Sequence, residues 1–225
     1  MIIDILTIFP QFYDAFLNTS IVKRAIRDEH VSIRLHDLRD YAHNKHKQID
    51  DTPYGGGVGM LMQFPPIYDA VKALKKEHTK VYLLSPQGQV YTQATANQMA
   101  KHEHIILICG HYEGVDARVE AIIDGELSIG DVVLTNGDIG AMLITDAIIR
   151  LLPDVIQDAS VKEDSLYDGM LKYPQYTKPE SYAGYDVPDV LLSGHHKHID
   201  AWRQQKKIEV TLKKRPELMK KKTSQ

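Results

Sequence analysis

The chain has 225 residues, 43% hydrophobic and 25% charged, enough for one full core or for one domain with a small appendage. No run approaches the roughly 18 apolar residues of a membrane span, and the opening MIIDILTIFP lacks a basic leader and is broken by Asp4, so it reads as a first strand instead of a signal peptide. With Cys109 the lone cysteine, an internal disulfide is excluded, and a reducing, cytoplasmic setting is expected.

Apolar runs at 2–8, 31–35, 80–85, 104–109 and 131–135 predict strands. Helical patterns at 20–27, 66–76, 92–101, 115–123 and 141–152 alternate with them, Ser20 standing at an N-cap and Pro153 closing the last. Such alternation predicts an α/β fold: a mainly parallel sheet flanked by helices on both faces. From Pro153 to about Pro188 the periodicity disappears among prolines, glycines, tyrosines and acidic residues, too long a stretch for an idle connection. A small helical region follows. The expected organisation is an α/β domain over 1–158, a linker over 159–185 and a small basic helical domain over 186–225.

The net charge of -3 conceals an asymmetry. Residues 197–225 carry ten Lys and Arg against three acidic residues, a surplus of seven positive charges on an otherwise acidic chain. A basic segment of this kind fits a polyanion partner; a solvated helix with a lysine-rich end gives the same composition.

Ligands of open parallel sheets lie beyond the carboxyl ends of the strands. Three successive predicted strands run into glycine-marked turns, LLSPQG (83–88), ICGHYEG (108–114) and LTNGDIG (134–140), which together predict one cradle. Neither G-x-G-x-x-G after the first strand nor G-x-x-x-x-G-K-[ST] is present, so dinucleotide and triphosphate signatures are missing. A nucleoside ligand without phosphate, such as adenosylmethionine, remains open, with Glu113 able to face a cationic sulfonium. Metal chemistry is poorly supported: His195, His196 and His198 are clustered too closely to make a tetrahedral set with the lone cysteine, and no H-E-x-x-H occurs. A nucleophile elbow G-x-S-x-G is also missing, and Cys109 reads as a small hydrophobe inside a strand. The cluster DDTPYGGGVGMLM (50–62) is the remaining oddity, a backbone that takes unusual dihedrals or admits something closely.

YGGGVGMLM, LSPQG, CGHYEGVD, SIGDVVLT, EDSL, YPQYTKP and VPDVLLSGHH, in this order, closely resemble the bacterial tRNA (guanine(37)-N1)-methyltransferases, a SPOUT-class family. The resemblance spans nearly the whole chain. It implies a C-terminal trefoil knot in the α/β domain, an obligate homodimer with active sites at the interface, and transfer of a methyl group from S-adenosyl-L-methionine to N1 of the guanine 3′ of the anticodon, preceded by another guanine. It further implies a cofactor cradle of Pro86, Gly110, Tyr112, Glu113, Ile129, Gly130, Asp131, Val132, Val133, Leu134 and Gly137. Asp164 in EDSL matches the proposed general base and Arg150 a cation for charge developing on guanine O6. Gly55, Gly56, Gly57 and Gly59, with His46, Asp50, Ser193 and His196, are expected to meet tRNA. Magnesium, if required, would arrive through RNA or substrate, since no dedicated cage is visible.

The chain departs from the family pattern where CGRYEG has His111 for its arginine and where GGELPAM is replaced by NGDIGAM, residues 136–142. Val58 and Val132 stand for a frequent Pro and Tyr, and IEVT (208–211) for LGRT. The alternative reading is therefore a tRNA-binding protein of the same fold with impaired catalysis. A nucleotide-dependent oxidoreductase is disfavoured by the missing glycine fingerprint.

Overall fold

A computed structural model describes residues 1–222, so the last three residues of the expected basic domain lie outside the described residues. In chain order the elements are β1 (Ile2–Thr7), α1 (Asp14–Leu17), α2 (Ser20–Arg27), β2 (Ser32–Asp37), β3 (Asp50–Asp51), β4 (Leu61–Met62), α3 (Phe64–Leu74), β5 (Thr79–Val90), α4 (Gln93–Met99), β6 (His104–Cys109), β7 (Gly125–Ser128) and α5 (Asp138–Ile149). They are followed by α6 (Asp158–Glu163), β8 (Ser181–Tyr182), β9 (Tyr185–Asp186), α7 (Asp189–Leu192), α8 (His196–Lys214) and α9 (Pro216–Lys222). The chain separates into two compact units, Met1–Ile156 and Gln157–Gln225.

The first unit is built on a five-stranded sheet of order β2-β1-β6-β5-β7, every pairing parallel. Both faces are covered, which explains why β6 reads HIILIC with every residue buried. Side chains alternate across the sheet. Ile3, Ile5, Ile105, Leu107 and Cys109 pack with α2 and α5, through Val22, Ala25, Ala141, Ile144 and Ile148. Leu6, Ile8, Ile106 and Ile108 pack with α3 through Ile67, Ala70 and Val71.

Several expected boundaries change. The predicted strand 131–135 is not one; the fifth strand is β7, Gly125–Ser128, which pairs with β5. Only Leu127 and Ser128 of β7 are buried, so it carries little apolar signal, whereas the DVVLT run is partly exposed and Val133 is 81% accessible. The helix expected over 115–123 is a 3-10 helix at Ala117–Ile122. Its room is limited: Asp116 accepts from the Arg118 amide at one end, while Asp124 is fixed by its own amide donating to Val81 O and its carboxylate accepting from Val81 N at the other. Strand β5 continues past the expected 85 to Val90, resuming its pairing with β7 after a register shift between Leu84 and Gln89. Thr19, not Ser20, occupies the N-cap of α2, and Ser20 begins that helix at φ 51°. Helix α5 ends at Ile149 with Arg150 as its C-cap, before Pro153 is reached.

In the second unit, α8 is the dominant element. Lys207 Nζ donates to Asp168 Oδ2 at 2.6 Å, and Thr211 Oγ1 accepts from the Leu171 amide at 2.9 Å, so the stretch before the hairpin β8-β9 is anchored to the helix by specific bonds. Helix α6 and that two-stranded hairpin lie within residues expected to be irregular.

Candidate functional site

A cleft of about 430 Å³ opens beyond the carboxyl ends of β6 and β7 and beside the irregular Leu83–Gln87 stretch of β5, inside the first unit. Its size is that of a site for a small organic ligand. Of the predicted cradle, Pro86, Gly110, Tyr112, Glu113, Ile129, Val132, Val133, Leu134 and Gly137 line it. Gly130 and Asp131 belong to the same bend but are not on the lining. The three turns therefore form one cavity. Two of their glycines are required by close approach. A Cβ at Gly88 would stand 2.4 Å from Glu126 C and 2.5 Å from Leu127 N, so the LSPQG turn can rejoin β7 only without a side chain there. A Cβ at Gly137 would stand 2.9 Å from both Cys109 Cα and Gly110 N, and the Gly137 amide donates to Gly110 O at 2.8 Å.

The glycine-rich segment is attached to this cleft. Strands β3 and β4 form a hairpin whose tip, residues 52–60, exposes Tyr54 and Val58 almost completely. Its second arm is tied to the loop after β6: Glu113 N donates to Met60 O, Met62 N to Gly114 O and Asp116 N to Met62 O, at 3.1, 2.9 and 3.0 Å. Gly59, at φ +79°, lies so near Glu113 that a Cβ would meet its Cγ at 2.4 Å. Gly55 and Gly56 also have positive φ but face open space. Asp50 stands in β3, its carbonyl accepting from Gln48 Nε2 and Gln63 Nε2, while His46 is exposed in the preceding turn. Burial, and to a lesser degree the negative charge of Asp50, raises the Tyr112 hydroxyl above its ordinary pKa against the opposing charge of Arg39.

Behind the cleft lies a buried polar cluster. Asp138, first residue of α5, is fully buried and accepts at Oδ1 from Thr7 Oγ1 (2.6 Å) and Tyr13 OH (2.9 Å). Thr7 Oγ1 itself accepts from Phe9 N at 2.9 Å, which directs the Thr7 proton to Asp138. His111 Nε2 lies 3.2 Å from Asp138 Oδ2 but out of line for a hydrogen bond. Burial would raise the Asp138 carboxyl, yet His111, Thr7 and Tyr13 outweigh it and hold it below the usual carboxylate range. Burial, Cys109 and Asp138 push the Tyr13 hydroxyl well up, and burial does the same to the Cys109 thiol, so both keep their protons. Cys109 is thus inert. Thr7, Tyr13 and Asp138 were not singled out from the sequence; they are brought together from positions 131 residues apart.

Arg150 and Asp164 belong to different units, as the C-caps of α5 and α6 respectively. Ser193 caps α7, its hydroxyl donating to Val190 O and accepting from His195 N, and exposed His196 opens α8. Among the described residues no group of three or more His, Cys, Asp or Glu could hold a metal ion. No helix among them is long and apolar enough to cross a membrane.

A cleft at the edge of a parallel sheet, lined by three glycine-marked segments and with a glycine hairpin tied to its rim, invites comparison with known proteins. Residues 1–221 match the family model described as tRNA (Guanine-1)-methyltransferase TrmD. The chain belongs to this family. It is 54% identical over 220 residues to the tRNA (guanine-N(1)-)-methyltransferase of Onion yellows phytoplasma, covering 97% of this chain and 91% of that one. The enzyme of the same name from Acholeplasma laidlawii is 56% identical over 220 residues, covering 97% and 90%. That of Caldanaerobacter subterraneus subsp. tengcongensis is 49% identical over 223 residues, covering 98% and 92%. Family membership gives the cleft a methyltransferase context.

Proposed function

We propose that this member of the TrmD family transfers a methyl group from S-adenosyl-L-methionine to N1 of guanine 37 of tRNA, 3′ of the anticodon and preceded by a guanine. The observation that carries the reading is the cleft in which the three predicted turns meet. The residues fit the cofactor: apolar walls from Leu84, Val132 and Leu134 suit an adenine ring, the close backbone approach of Gly137 to Gly110 holds two of the turns together around the cleft, and Glu113 offers a carboxylate to a cationic sulfur. Adenosylmethionine supplies the electrophilic methyl group.

Guanine N1 carries a proton at neutral pH, so a base must take it as the new N–C bond forms. We assign that proton to the Asp164 carboxylate and the negative charge developing at O6 to the Arg150 guanidinium. The hairpin tip, with Gly55, Gly56, Gly57 and Gly59 and with His46 and Asp50 beside it, would meet the paired guanines. Ser193, His196 and the basic α8 would meet the tRNA backbone, a contact that weakens with salt. The reading includes a trefoil knot in the first unit, a homodimer with its sites at the interface, a cytoplasmic location, domain limits at 1–158, 159–185 and 186–225, and magnesium entering only with RNA or substrate.

The test is transfer of labelled methyl from adenosylmethionine to an unmodified tRNA with paired guanines. Wild type is expected to label it and Asp164→Ala to lose at least about a hundredfold in rate, within the usual range for a general base. Equal labelling by both proteins would remove Asp164 from the role. No labelling despite tRNA binding would favour a non-catalytic tRNA-binding protein.

A further inference from the structure

We infer that Asp138 and His111 act together as positioning residues for the cleft, Asp138 fixing one wall and His111 fastening the opposite loop to it. This rests on the methyltransferase reading. Asp138 joins three segments that are remote in sequence. Its own helix α5 begins against the cleft at Gly137, Thr7 terminates β1, and Tyr13 lies in the turn that follows. Both hydroxyl bonds go to Oδ1. Oδ2 is left facing only His111 Nε2 at 3.2 Å, and neither buried atom has a hydrogen-bond partner. A buried carboxylate oxygen without a donor is unfavourable, and a donor 3.2 Å away needs only a change of angle.

His111, whose buried ring must make this change, belongs to the lining of the cleft. His111 packs edge-on against Phe9, with ring centroids 5.4 Å apart, and its amide donates to Met62 Sδ at 3.1 Å. Its loop also carries Tyr112 and Glu113, and it holds the glycine hairpin through Glu113 N and Gly114 O. A ligand that presses this loop toward the sheet therefore completes the His111–Asp138 bond, and the bond in turn holds the loop against the ligand. Coupling of this kind adds to affinity for the bound methyl donor and leaves the chemical step untouched.

Three variants test it: His111→Leu, His111→Gln and Asp138→Asn, with thermal melting of each as a control of the fold. By calorimetry, His111→Leu and Asp138→Asn are expected to weaken adenosylmethionine binding about tenfold, the loss typical of a charge-assisted hydrogen bond. His111→Gln, whose amide can still donate, should stay within about threefold of wild type. KM for adenosylmethionine should follow the same order, with kcat at saturation within about twofold. Equal loss in the two His111 variants, or wild-type affinity in both, overturns the inference, and those two carry the test if Asp138→Asn does not fold. A wild type that binds no adenosylmethionine overturns the methyltransferase reading as well, so the two failures are distinguishable.

Discussion

Two buried aspartates at opposite ends of the sheet are treated very differently. Asp4, on the α3 face, is saturated: Arg34 donates from Nε and Nη2 at 2.6 and 2.7 Å, His36 Nε2 lies at 2.9 Å from Oδ1 and His104 Nε2 at 2.6 Å from Oδ2. Beyond it, His104 Nδ1 meets Thr79 Oγ1 at 2.7 Å, and Thr79 Oγ1 accepts from Lys76 N. Every polar group on that path has a partner. Asp138, on the α5 face behind the cleft, has one oxygen doubly bonded and the other unmatched. A satisfied network fixes structure, while an unsatisfied one beside a cavity retains the capacity to respond to what fills it.

The comparison breaks first at Asp4. Asp4→Ala leaves Arg34, His36 and His104 around a vacated carboxylate site, and should cost about 3 kcal/mol of stability, read by urea denaturation. A loss below about 1 kcal/mol would mean that water replaces the carboxylate without penalty. The pH dependence has a defined sign. Burial would raise the Asp4 carboxyl, but His36, Arg34 and His104 hold it far below its ordinary value. Stability from this group is therefore complete above the unfolded carboxyl value near pH 4 and declines as pH falls toward the depressed folded value. Wild type should lose stability on acidification below about pH 5 more steeply than Asp4→Asn, which lacks the titrating carboxyl. Parallel acid profiles would show that other carboxylates dominate.

The glycine hairpin sharpens the contrast between a required and a permissive position. Gly59→Val forces a side chain into Glu113 at positive φ, whereas Gly55→Ala bears only the cost of positive φ, about 1 kcal/mol, because its surroundings are open. Gly59→Val should abolish methyl transfer while the protein still folds, with a melting temperature lowered by at least about 2–4 °C, and Gly55→Ala should retain more than about a third of the activity. Equal activities would mean that Glu113 need not be held where it is. At the small end stands the exposed pair Lys47–Asp40, at 2.7 Å. Lys47→Ala should leave the melting temperature unchanged within error, and a measurable drop would show that this surface pair is more than a solvated contact.

The readable parts of this molecule were those with local causes. HIILIC appears as β6 with its expected bounds, and the helix at 20–27 as α2, since burial on both faces and helical spacing write themselves into consecutive residues. The strand predicted at 131–135 failed because an apolar run that lines a cleft has the same composition as one that enters a sheet. The true strand, GELS, has one strong apolar residue and is recruited by its neighbour β5.

Local pattern was therefore sufficient for most of the alternation of strands and helices, for three glycine-marked segments that line one cleft, although only CGHYEG follows a strand end, and, through ordered motifs, for the family. What required the folded chain was contact across long separations: the hairpin tied to residues 113–116, the crossing of Gly137 over Gly110, and Thr7 and Tyr13 meeting Asp138. No periodicity encodes which remote hydroxyl will satisfy a buried carboxylate, because that choice follows from the order in which parallel strands are laid side by side.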